Sequence, residues 1–167
     1  MINKILLLIV ILMLLSNCEN SKKSISTNQI EMSNDVSLIE LAIDKGDTKS
    51  YDKLRIEYMD SPYESFLDIS TKMANKHDYK SAYIDVFYCL TNYYQKKDDD
   101  LLKNLNDSLK TKAIKYLNLA AEKGEVNALE ILSKFYSDGI YFEENKNLAK
   151  ELLMKRDSIL STYDIKK

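Results

Sequence analysis

Hydrophobic and polar positions divide the chain into three stretches. Residues 5–15 are apolar without interruption, residues 19–34 are polar with no sustained period, and from Val36 onward apolar side chains recur every three or four positions. That spacing marks amphipathic helices. The longest stripe runs through Tyr79, Ala82, Tyr83, Val86, Phe87, Leu90, Tyr93 and Tyr94, and places all eight on one helix face. Ala113, Tyr116, Leu117, Ala120 and Ala121 form a second stripe, and Ala128, Leu132, Phe135 and Tyr136 a third. Leu148, Ala149, Leu152 and Leu153 form a fourth. No stretch alternates with the period of two that a strand requires, so the expected fold class is all-α.

Local signals mark where these helices begin and end. Ser61-Pro62-Tyr63-Glu64 combines a capping serine, a proline at the first helical position and a glutamate three residues after the cap, which predicts a helix start. Gly46 follows Leu38, Leu41 and Ala42, and Gly124 follows the stripe ending at Ala121; both suit the left-handed residue that closes a helix. Asp78 and Asn145 are candidate N-caps. Lys96 to Asp100 and Asn104 to Asp107 read as a solvated loop with a short turn around Leu101 and Leu102. A cation site at those aspartates is the lesser alternative, because calcium needs more oxygen ligands than adjacent side chains present.

The segments repeat. Ile43-Asp44-Lys45-Gly46-Asp47, Ser50, Leu54 and Tyr58 match Ala121-Glu122-Lys123-Gly124-Glu125, Ala128, Leu132 and Tyr136 without a gap. A third copy, Ala74 to Asp78 followed by Ala82, Val86 and Leu90, fits with one inserted residue and His77 in the place of glycine. The ungapped copies are separated by two units of about 39 residues, within the range of helical-pair solenoids.

Ala113, Tyr116, Ala120, Ala121, Gly124, Ala128, Leu132, Tyr136, Gly139, Asn145 and Ala149 together resemble one full Sel1-like repeat, a relative of the tetratricopeptide repeat. The resemblance implies two antiparallel helices per unit, with alanines where the helices approach closely. Gly124 would turn the chain and Gly139 would end the second helix. Tyr141 and Phe142 stand where the family commonly has Gly and Val. Weaker matches at Gly46 and Ala82 extend the pattern, implying a short right-handed solenoid over residues 36–167.

The N-terminal apolar run is too short for a membrane span, which needs roughly 20 residues, but suits the hydrophobic region of an export signal. It ends in Leu15-Ser16-Asn17-Cys18, which resembles the lipobox of bacterial lipoproteins. That resemblance implies a signal peptide over residues 1–17 and a diacylglycerol on Cys18, with further acylation, palmitate included, of the new N-terminus. Two or three acyl chains suffice for lasting anchorage. Residues 18–35 then form the lipidated N-terminus and a flexible tether, since their polar composition cannot bury enough apolar surface to offset ordering. Glu19, rather than the Asp that resembles an inner-membrane retention signal, points to the outer membrane of a Gram-negative bacterium.

Composition narrows the chemistry. The chain has three glycines, two cysteines, one histidine, and 24 Lys+Arg against 26 Asp+Glu. Scattered glycines do not build a phosphate loop, so no nucleotide cofactor is expected. One histidine and two cysteines do not make a zinc or disulfide framework, and interspersed charges leave no footprint for nucleic acid. Once Cys18 is acylated, Cys89 remains, in a helical aromatic stretch that favours a buried hydrophobe over a reactive thiol. His77 could pair with Cys89 as base and nucleophile, but its turn position favours a structural role. Glu57, Glu64, Glu143 and Glu144 lie where exposed or capping carboxylates are expected. No catalytic residue, metal or cofactor is therefore expected.

The function expected is a lipid-anchored envelope protein that presents a helical-repeat surface to an unidentified protein partner. Twelve tyrosines could serve that surface or the packing. A protective protein that neutralises a secreted toxin, and less favourably a cell-wall-active hydrolase, are the alternatives.

Overall fold

A computed structural model describes residues 37–59, 63–93 and 101–164, with only the backbone for Tyr63, Glu64 and Asp164. The signal, Cys18 and the tether lie outside the described residues. So do Ser61 and Pro62, Tyr94, and the aspartates Asp98 to Asp100.

Helix α1 covers residues 37–45. It is followed by α2 (Thr48–Met59), a 3-10 turn (Tyr63–Phe66) that runs into α3 (Leu67–His77), and α4 (Lys80–Thr91). Then come α5 (Asp107–Glu122), α6 (Val126–Asp138) and α7 (Lys146–Asp164). The fold is all-α among the described residues. From α3 to α7 each helix packs on the next in sequence, which is a helical-repeat arrangement. No described helix is long and apolar enough to cross a membrane.

Three of the inter-helix turns are built alike. Gly46, Asp78 and Gly124 have left-handed backbones, with φ of 69°, 54° and 75°, and in each case one connecting residue leads into the next helix. Asp78 N donates to Ala74 O at 3.1 Å and Gly46 N to Ala42 O at 3.0 Å, closing the preceding helices. This corrects two expectations. Asp78 is not an N-cap: it is the left-handed cap of α3, and extended Tyr79 precedes α4 with no side-chain cap. His77 does not take the glycine position; it is the last residue of α3. The physical reason is that aspartate, unlike most residues, tolerates the left-handed region.

Placing Asp78 opposite the two glycines removes the inserted residue from the third copy. Ala42, Ala74 and Ala120 then share one position, and Ser50, Ala82 and Ala128 another. All six are buried. Replacing fully buried Ala128 by leucine should overpack this contact and lower stability by about 1 to 3 kcal/mol. A thermal unfolding curve unchanged by Ala128→Leu would show that the small-residue position is wrongly placed.

The other repeat positions are distributed as follows. Ala121, Leu132 and Ala149 are buried and Tyr136 is half-buried, stacked on Phe142 with ring centres 4.6 Å apart. Gly139 is the left-handed cap of α6. Asn145 caps α7, accepting from Leu148 N at 3.0 Å, and Asn106 caps α5 in the same way through Leu109 N. Tyr141 keeps a left-handed backbone, φ 63°, at a position where glycine would be unstrained.

Two patterns differ from the sequence reading. Helix α4 is not buried on one face only: every residue from Ala82 to Cys89 is buried, because α3 and α5 both pack on it. Leu101 and Leu102 do lie in a turn, yet both are core residues. Their charged sequence neighbours disguise a plug held by Tyr141, whose hydroxyl accepts from Leu102 N at 3.1 Å.

Candidate interaction cleft

Helix α6 carries Asn127, Glu130, Lys134 and Asp138 at steps of three and four, so the four share one exposed face. One position further along, Ile131 and Phe135 are buried. This offset places an apolar floor beside a polar rim. Together with Tyr88 and Tyr93 from the end of α4, and Leu153 and Arg156 from α7, these residues line a cleft of about 580 Å³.

The aromatic wall depends on how α4 ends. Asn92 caps the helix in a left-handed conformation, φ 55°, and donates its backbone N–H to Tyr88 O. The chain therefore doubles back and lays the Tyr93 ring on Tyr88, with centres 4.4 Å apart and planes 29° from parallel. Tyr88 is buried and Tyr93 half-buried. Across the cleft, Arg156 donates through Nε and Nη2 to Asp157 Oδ1 at 2.8 and 2.7 Å, and its Nη1 lies 3.6 Å from Glu130 Oε2. The hydrogen bond to Asp157, with Glu130 adding a smaller effect, raises the Arg156 pKa. A cleft of this size, with apolar floor and polar rim, accommodates apolar side chains while its rim fixes orientation.

On the other side of α6 a hollow of about 210 Å³ is lined in part by Ala121, Leu132 and Tyr136. These repeat positions thus border a surface depression as well as the core.

A second polar group joins α2 to α4. Tyr51 Oη donates to Asp85 Oδ2 at 2.8 Å and Arg55 Nε to Asp85 Oδ1 at 2.9 Å, around a carboxylate with no exposed surface. Tyr79 Oη donates to both oxygens of Asp52 at 3.0 Å. Burial, then the bond to Asp52, raises the Tyr79 pKa. Between α4 and α5, Lys123 Nζ meets Asp78 Oδ1 at 2.5 Å and stands 5.1 Å from the Tyr83 ring centre. Lys123 first, and the Tyr83 hydroxyl second, lower the Asp78 pKa. Tyr83, which donates to Asp78 at 2.7 Å, is pushed up to about 12 by burial and then by that carboxylate, so it stays neutral at any physiological pH.

The candidate catalytic pair does not come together. His77 is the last residue of α3, where Nε2 is 2.6 Å from Ile43 O. Cys89 is buried near the far end of α4, about 14 Å along that helix at 1.5 Å per residue. Glu57, Glu143 and Glu144 are exposed. Among the described residues there is no group of three or more His, Cys, Asp or Glu side chains placed to hold a metal.

Most of the cleft was not singled out by sequence: Tyr88, Asn127, Glu130, Lys134 and Arg156 carry no motif. A signal was nonetheless present in the spacing of the copies. Asp78 follows Gly46 by 32 positions, whereas Gly124 follows Asp78 by 46. The second unit is thus the longer by 14 residues (46 against 32), and long connections in compact domains are commonly functional.

No family model matches the chain, and neither a curated protein nor a solved structure matches it.

Proposed function

We propose that this chain is a lipid-anchored envelope protein, built as a Sel1-like right-handed solenoid, whose cleft beside α6 binds a segment of a protein partner. The observation that carries the binding role is the cleft itself: an apolar floor of Tyr88, Ile131 and Phe135 beneath a rim of alternating charge. The family reading is supported by the three left-handed turns and by left-handed Tyr141, which stands where the Sel1-like pattern commonly has glycine. The anchor is supported by Leu15-Ser16-Asn17-Cys18, and outer-membrane residence by Glu19.

A photoreactive residue placed at Ser137, on the rim, tests the binding role in intact cells. The expected result is one dominant cross-linked protein, lost when Lys134→Glu inverts the rim charge. Equal cross-linking from exposed Glu57 on α2 would count against a localised site. The identity of the captured protein separates envelope assembly from toxin neutralisation.

The anchor makes its own prediction. Cys18→Ala is expected to abolish acylation and move the protein out of the membrane fraction, unprocessed or soluble. Unchanged mass and equal membrane retention would remove the lipoprotein reading.

A further inference from the structure

The last carbonyls of a helix have no partner within it, and the negative end of the helix dipole lies there. In this domain those of α1 and α5 are met by basic side chains from the next repeat. Ile43, Asn75 and Ala121 occupy one repeat position, three residues before the left-handed residues Gly46, Asp78 and Gly124. Each receives a donor from the first helix of the following unit. Ile43 O accepts from Lys76 Nζ at 2.9 Å and lies 2.6 Å from His77 Nε2, both at the end of α3. Since a carbonyl only accepts, Nε2 carries the hydrogen. Asn75 Oδ1 accepts from Tyr116 of α5 at 3.0 Å, and its neighbour Asp78 is paired with Lys123. Ala121 O accepts from Lys155 of α7 at 2.9 Å.

The glycines make room for these contacts. A Cβ on Gly46 would lie 2.6 Å from His77 Nδ1 and 2.9 Å from its Cγ, so the imidazole fills the space that a side chain would need. A Cβ on Gly124 would lie 3.1 Å from Ile159 Cδ1, one turn beyond Lys155 on α7. At Asp78, where there is no glycine, the carboxylate itself supplies the acceptor.

We propose that this row of contacts is the joint that couples successive repeats, and that each junction opens separately along it. His77 is then a positioning residue: it holds the end of α1 against the end of α3. Lys155 does the same for α5 and α7. Opening the first junction frees α1 while the α5–α7 stack stays closed, so the domain opens stepwise from its α1 end.

Hydrogen exchange on the full chain, read peptide by peptide, tests this. His77→Ala should speed exchange by about tenfold for amides around residues 42–47 and leave α6 and α7 unchanged, as expected when only a local unit opens. Lys155→Met should do the reverse, loosening the α5–α6 turn without touching α1. Gly46→Ala, which displaces the ring, should reproduce the His77→Ala pattern and add little to it in the double variant. If His77→Ala unfolds the whole domain, Lys76→Met removes the exposed donor to Ile43 O, together with its pairing to Asp44 at the same helix end, and carries the same test. Exchange that rises evenly over all helices, or does not change near the substituted junction, would overturn the proposal.

Discussion

Asp85→Ala is expected to lower the stability of the domain by about 3 kcal/mol, equivalent to roughly 10 °C in melting temperature. The carboxylate has no exposed surface and accepts from Tyr51, itself fully buried, and from Arg55. Removing it leaves a guanidinium and a phenol in the α2–α4 contact without that acceptor. The Arg55 side chain is 27% exposed, so part of its charge can turn to water, which places the effect at the lower end for a broken buried pair. Asp85→Asn keeps an oxygen for Tyr51 and should cost less than Asp85→Ala. Replacing the group together, Tyr51→Phe, Arg55→Met and Asp85→Leu, should come close to neutral, because the penalty belongs to the abandoned charge rather than to the pair. Chemical denaturation of the three variants measures this. A loss below about 1 kcal/mol for Asp85→Ala would mean that the network does not close in solution.

That network also shows where sequence reasoning stops. Asp85 sits in the middle of the most apolar helix, among Tyr83, Ile84, Val86 and Phe87. Its partners lie 30 and 34 residues earlier, on a helix with an ordinary mixed surface. Periodicity reports which face of a helix is apolar. It does not report which polar residue on another helix meets an acid placed within that face. The stripe through α4 was likewise legible, but its burial on all sides depends on neighbours that packing alone supplies.

The turns were more legible, for a reason tied to backbone chemistry. Glycine is nearly the only residue that takes a left-handed cap without strain, so Gly46, Gly124 and Gly139 announce themselves. Asp78 takes the same conformation without being glycine and was therefore invisible as a helix-closing residue; Tyr141 takes it in the loop after α6. That single substitution of aspartate for glycine shifted the third copy by one residue in the sequence alignment. The buried positions Ala42, Ala74 and Ala120 now show the alignment to be continuous. Leu101 and Leu102 were obscured by the opposite effect: a charged stretch around two leucines reads as solvated loop, although both side chains are buried in the core. The cleft was least legible of all, since its lining comes from three helices and carries no motif.

Phe135→Ala is expected to have the larger effect, about 3 to 5 kcal/mol, and to act on fold and cleft together. The ring is fully buried under the cleft floor and meets Tyr141 edge-on, with centres 5.3 Å apart, and Phe142 at 6.4 Å. Truncation leaves a cavity that neighbours fill only in part, which is the main source of the cost. It also removes the support under Tyr141, whose left-handed backbone stores strain on the order of 1 kcal/mol or more. The Tyr141 hydroxyl in turn accepts from Leu102 N, so the Leu101–Leu102 plug should loosen with it. Phe135→Leu keeps most of the volume and should cost less than half as much, with the plug retained. The two variants are separated by equilibrium denaturation and by protease sensitivity around residues 101–105, which should rise sharply for alanine and little for leucine. If Phe135→Ala lost less than about 1 kcal/mol, the ring would not be the keystone of the cleft floor, because truncating a buried phenylalanine in a well-packed core has no route to so small a cost. If stability fell while the 101–105 segment stayed protected, the link from Phe135 through Tyr141 to Leu102 would be broken, and the plug would have to be held by the core contacts of Leu101 and Leu102 alone.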